Sequence, residues 1–138
     1  DVVTLNLDMA PQILEANARV VEDNGRGAVQ RGPIVYCLEG LDQKQGVSVA
    51  DVALTPSGNS AKNAGFTETY DKDLLDGVVV LQHEGSEIKT SAARSGLYFP
   101  ASAAANTASK VPLTFIPYYA WANRTPTPML VWTRLSKS

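Results

Sequence analysis

Turn-forming residues punctuate this chain roughly every ten positions, and the stretches between them suit strands better than helices. Asn24-Gly25, Gly32-Pro33, Asp76-Gly77 and the Thr125-Pro126-Thr127-Pro128 run are the clearest stops. DVVTLNLDM, residues 1–9, alternates: Val3, Leu5, Leu7 and Met9 share one face and Thr4, Asn6 and Asp8 the other, which predicts a half-buried strand. Asn24-Gly25 tolerates the positive φ of a type I′ turn, so Ala18 to Glu22 and Arg26 to Gln30 are expected to pair across it. Ile34 to Leu38 is apolar throughout, the pattern of a strand covered on both faces, and VSVADVAL adds a short β-like segment. DGVVVLQH, with three β-branched valines after an Asp-Gly turn, is the clearest strand.

The remaining segments fit the same class. SAARSGLYFPASAAANTAS is rich in alanine, but Gly96, Pro100 and its hydroxyl and amide residues break every helical window, which leaves a loop with a short strand near LYF. Asp73-Leu74-Leu75 suits a single helical turn. VPLTFIPYYAWANR and PMLVWTRL read as the two strands of a closing hairpin, and Pro117, lacking an N–H, places the first at a sheet edge or a bulge. With about eight or nine short strands, little helix and no amphipathic stripe, the chain is expected to be all-β, a jelly-roll-like β-sandwich forming one domain over residues 1–138.

A net charge of −2 gives no electrostatic basis for binding nucleic acid or an anionic membrane, and a neutral, polar partner fits better. The longest apolar runs fall far short of the roughly 20 residues that cross a bilayer as a helix. Cys37 is the one cysteine and has no internal disulfide partner; inside PIVYCL it reads as a small buried hydrophobe. With the lone His83 far from it, no metal or other cofactor is expected, and His83 in LQHEG reads as a solvated turn residue. Glycoside cleavage needs two carboxylates flanking a bond, yet Glu22, Asp23, Asp42 and the others lie in polar or turn contexts. Glu39, at the end of the PIVYCL strand, is the exception, being placed where burial is expected.

The densest aromatic stretch is FIPYYAWANRTPTPMLVW, which holds both tryptophans. As a strand it would put Tyr119, Trp121 and Asn123 on one face and Tyr118 on the other. Tyr119 and Trp121 could then stack on a sugar ring while Asn123 and Arg124 read its hydroxyls, although aromatic residues at alternating strand positions are usually core.

Three segments carry a family resemblance. VTLNLDMAPQILEANARVVEDNGRGAVQRGPIVYCLEGLDQ, DLLDGVVVLQHEG and LTFIPYYAWANRTPTPMLVW resemble, in that order, the β-sandwich region that follows the catalytic barrel in glycoside hydrolase family 127, the β-L-arabinofuranosidase-like family. The resemblance implies a β-sandwich. It does not carry over the activity, because that family's acid/base glutamate, nucleophilic cysteine and zinc-binding cysteines belong to an α/α barrel whose motifs find no match here, and Cys37 falls in the sandwich part. The expected role is an accessory module of a plant-polysaccharide-degrading enzyme. Its expected partners are a plant cell-wall oligosaccharide or polysaccharide, a parent catalytic domain, and a second copy met through an uncovered sheet edge. A structural or dimerisation module without sugar binding is the alternative.

Overall fold

The computed structural model describes residues 1–56, 62–90, 96–98, 100 and 106–136. Among these residues nine strands run in the order β1 (Pro11–Glu15), β2 (Arg26–Arg31), β3 (Ile34–Glu39), β4 (Val52–Leu54), β5 (Thr67–Asp71), β6 (Val78–Thr90), β7 (Asn106–Pro117), β8 (Met129–Leu130) and β9 (Thr133–Leu135). Only single turns of 3₁₀ helix interrupt them among the described residues, so the chain is all-β as expected.

All nine strands belong to one mixed hydrogen-bonded network, and its pairings close on themselves. β2 pairs β9, β9 pairs β4 in parallel, β4 pairs β6, β6 pairs β7, β7 pairs β3, and β3 pairs β2 again. β1, β5 and β8 are side strands on β2, β6 and β3. The alternation of each strand sorts apolar residues to the two sides of this circuit. Tyr36, Leu38, Leu54, Leu81, Leu113 and Phe115 meet in the main core. Their neighbours Cys37, Val80 and Ile116 face a smaller cluster, closed by Leu74 and Ala120.

Local chemistry explains the turns. Arg31 pairs Ile34 across a two-residue loop in which Gly32 has φ +56°, the left-handed value that a Gly-first hairpin turn demands, and Pro33 fills the second position. β6 and β4 cross closely at Gly85, where a Cβ would lie 2.6 Å from the Ala53 carbonyl oxygen. Pro117 ends β7 beyond Phe115, the last residue facing β6 there, so its missing N–H falls where β7 has β3 as its one neighbour.

Several sequence expectations are corrected. Residues 1–9 form no strand, and the partner of β2 is Pro11–Glu15 rather than Ala18 to Glu22, which lie in turns and a 3₁₀ segment. The hairpin tip at Asn24-Gly25 therefore belongs to a longer connection. β5 arises from FTETYD, whose polar composition gave no strand signal because every residue from Thr67 to Tyr70 is exposed. Leu75 and Asp76 take left-handed φ values of 47° and 60°, so Asp73-Leu74-Leu75 makes a tight turn and not a helical one. β7 and β8 do not pair with each other; β3 lies between them, Leu38 facing Phe115 on one side and Leu130 on the other. His83 is buried in β6 against Phe66, ring centroids 4.7 Å apart, rather than solvated. Leu97 and Tyr98 form no strand where one was expected near LYF, and Phe99 lies outside the described residues.

Candidate functional site: an aromatic ledge on a buried ion-pair clamp

The extended run of β7 stops at Pro117. Tyr118–Ala120 turn as a 3₁₀ segment, which breaks the alternation expected for a continuing strand and turns two consecutive rings outward. Ala120 takes the buried position. Tyr118, Tyr119 and Trp121 are 46%, 59% and 37% exposed, and Tyr118 and Trp121 incline towards each other with ring centroids 6.4 Å apart.

Beneath this ledge lies a clamp. Glu39, the last residue of β3, is fully buried. Its Oε2 accepts from Arg124 Nη2 at 2.6 Å and its Oε1 from the Ala122 backbone N–H at 3.2 Å. The Arg124 fork also donates to both oxygens of Asp42 at 2.7 Å. A buried carboxylate needs such partners, since an unpaired charge costs several kcal/mol to bury. Asp42 and Glu39, through hydrogen bonds and charge, hold the Arg124 guanidinium protonated well above its ordinary value, although partial burial opposes them. Ala122 adopts φ +60° to present its N–H, and Asn123 Nδ2 donates to the carbonyls of Ala120 and Trp121 at 3.0 and 3.1 Å. Gln43 ties the same corner to β7, with Nε2 on the Glu39 and Thr114 carbonyls and Oε1 taking the Thr114 N–H.

Of the four residues singled out for sugar contact, Tyr119 and Trp121 therefore lie open on the ledge. Asn123 and Arg124 lie beside them with donors turned inward, shaping the turn that presents the rings. Sequence reasoning missed Tyr118, which it placed on the opposite face. It also missed a groove of about 400 Å³ running from Tyr118 along Met129–Trp132 to Glu22, Asp23 and Arg26. Arg26 Nη1 donates to the Trp132 carbonyl at 3.1 Å and fixes that wall. No sequence signal joined these residues, because β2 and the β8–β9 segment meet only through the closed circuit.

Cys37, His83 and Tyr36 are sequestered. Burial, helped by Glu39 and Asp42, pushes the Cys37 thiol up to about 12, which keeps it protonated and inert at neutral pH. Burial lowers the His83 pKa against the opposing hydrogen bonds, and its Nε2 lies 3.1 Å from the Thr55 carbonyl. Tyr36, also pushed up to about 12 by burial, donates its hydroxyl to the Val79 carbonyl at 2.9 Å.

This combination defines an all-β module whose most buried ionisable groups hold structure together and whose rings are offered on one rim. The chain belongs to the glycoside hydrolase family 127 C-terminal domain family, whose model matches residues 11–134. It is 33% identical over 132 residues to the non-reducing end β-L-arabinofuranosidase of Bifidobacterium longum subsp. longum, covering 96% of this chain and 19% of that protein. Among solved structures it is similar to a family 127 β-L-arabinofuranosidase from Geobacillus stearothermophilus T6, with a TM-score of 0.76, 35% identity, and coverage of 93% of this chain and 18% of that one. Another, a glycoside hydrolase, gives a TM-score of 0.77 at 27% identity, over 94% of this chain and 20% of that one. The chain thus spans about a fifth of the length of the relatives it matches.

Proposed function

We propose that this chain is a noncatalytic accessory module of a plant-polysaccharide-degrading glycoside hydrolase, and that its aromatic ledge contacts carbohydrate held near a catalytic domain. The observation that carries this reading is the exposure of Tyr118, Tyr119 and Trp121 together on one turn, since rings that serve as core are shut. With Asn123 and Arg124 occupied internally, Glu22, Asp23 and Arg26, which line one groove with Tyr118, would read hydroxyls. The noncatalytic half of the proposal is supported by Glu39. Both its oxygens are engaged by Arg124 and Ala122, which removes the buried carboxylate from acid–base work. The relatives' naming as β-L-arabinofuranosidases points to arabinofuranosyl oligosaccharides as the first sugars to try.

A structural module that packs its ledge on a protein neighbour is the second reading, favoured by one observation: the donors of Asn123 are spent on backbone carbonyls, leaving the ledge itself largely apolar. Tryptophan fluorescence titrated with arabinofuranosyl, arabinan and xylan oligosaccharides separates the two. Sugar contact predicts a saturable shift with a Kd on the order of millimolar, lost in a Tyr119→Ala/Trp121→Ala double variant. An unchanged spectrum with every sugar supports the packing reading and defeats the carbohydrate one.

A further inference from the structure

β5, β6 and β7 lie side by side, and their register sets a row of uncharged polar side chains across the sheet. Thr67 faces Gln82 and Gln82 faces Thr114, so the three project on one side. In one direction along β6 the same face carries Val80, and in the other Glu84, opposite Pro112. Leu74 and Ala120 pack over one end of this face, at Val78, Val80 and Ile116. Beyond that cover Thr67, Thr69, Gln82 and Glu84 are exposed. Two hollows occupy the open part. One, of about 480 Å³, lies over Thr69, Val80 and Thr114 and ends at Asp71–Asp73. The other, of about 350 Å³, reaches from Thr67 to Lys110 and Pro112. Gln82 lines both, which makes them two halves of one trough along β6. From Val80 to Glu84 it covers about 14 Å at the rise of an extended strand. None of its residues belongs to the aromatic ledge or to the groove beside it.

The walls favour an uncharged ligand. At one end Lys110 Nζ and Glu84 Oε1 lie 2.6 Å apart and neutralise each other. At the other, Asp71, Lys72 and Asp73 sum to a single negative charge, and Asp71 Oδ1 is taken by the Asp73 N–H at 2.9 Å. Neither end offers an anionic chain a net positive charge. Between them stand threonine hydroxyls and one carboxamide, which donate and accept as sugar hydroxyls do, with Val80 and Pro112 to meet the C–H face of a ring. One buried group in the wall is also incomplete. The Thr55 carbonyl can only accept, so His83 Nε2, 3.1 Å from it, carries the ring proton. That leaves Nδ1 of the neutral ring as a buried acceptor with no hydrogen-bond partner among the described residues, and a hydroxyl is the complement it lacks. Each hollow has the size of an ordinary ligand site, roughly 300–1,000 Å³. We propose that this trough is a second carbohydrate-binding site, which takes an uncharged, extended oligosaccharide lengthwise along β6 with Gln82 at its centre. It stands independently of the ledge, since the two sites share no residue.

NMR titration of the isotope-labelled chain with neutral arabinan and xylan oligosaccharides tests this. Saturable shifts are expected at the Gln82 side-chain amide and at the backbone amides of Thr67, Thr69 and Thr114, with a Kd on the order of millimolar. Gln82→Ala should weaken that binding about tenfold or more, because hydrogen bonds in both halves are lost. Gln82 is exposed, so the variant should keep the parent's Tm. The Tyr119→Ala/Trp121→Ala double variant should leave the trough shifts unchanged. Silence at these amides with every sugar overturns the proposal, and shifts confined to the ledge overturn it while the ledge reading survives. Full affinity in Gln82→Ala, or tighter binding of an oligogalacturonide than of the neutral sugars, overturns it too.

Discussion

Arg124 sits at the boundary between function and stability, and its position assigns it chiefly to stability. Replacing it with alanine strands Glu39 as an unpaired buried carboxylate. Because the arginine side chain is itself 32% exposed and partly screened, the expected loss is about 2–3 kcal/mol, below the usual cost of breaking a fully buried pair. Urea denaturation of Arg124→Ala checks this, and Glu39→Gln, which keeps shape while removing charge, should recover part of the loss in the Arg124→Ala background. Cys37 and Tyr36 supply a pH signature. Burial raises both, to about 12 from ordinary values of 9.0 and 10.0. The folded state therefore holds protons that the unfolded state releases, so their contribution is complete below pH 9 and is lost as the pH rises towards 12. Urea midpoints measured across that window should fall, and Cys37→Ala should flatten the lower part of the slope. Glu39 was legible as a buried carboxylate because it ends the apolar PIVYCL run. Its partner was not, since Arg124 lies 85 positions away and only the fold brings it back.

Elements with strong local chemistry could be read from the chain, and those set by distant pairing could not. The valines of β6, the Gly32-Pro33 turn and Tyr36 to Leu38 of β3 behave as their residues dictate, whereas Val35, expected to be covered, is exposed. β1 escaped notice because Pro11 looked like a break, yet a proline at the first position of an edge strand forfeits no ladder bond. The stretch at residues 1–9 misled for the opposite reason, having the right alternation and no strand partner among the described residues. The aromatic turn was misplaced because alternation was extended past Pro117, where β7 ends. At this scale Gly85 is the sharpest test. A Gly85→Ala methyl would collide with the Ala53 carbonyl, which is main chain and cannot swing aside, so β4 must separate from β6. A loss of about 2–3 kcal/mol is expected, seen as a lowered Tm together with faster amide exchange at Val52 and Ala53.

Across the whole molecule, the circuit depends on a strand of three residues. β9 joins β2 to β4, with Gly27 facing Thr133 and Ala53 facing Arg134. Ending the chain after Leu130 removes it and bares the edges of both neighbours. Such edges recruit other chains, so light scattering should report oligomers or aggregates from this truncation, while Tyr119→Ala, at an exposed ring, should remain as well dispersed as the parent.

The position of β9 also sets a timetable for synthesis. The strand that completes the circuit lies within the last residues described, and its partners β2 and β4 are made long before it. A nascent chain must therefore keep those two edges waiting until β9 has been made, and closure joins segments far apart in sequence, a topology that folds slowly. For this protein the vulnerable interval comes during the making of the chain, when a chaperone or an already folded neighbouring domain would have most to shield.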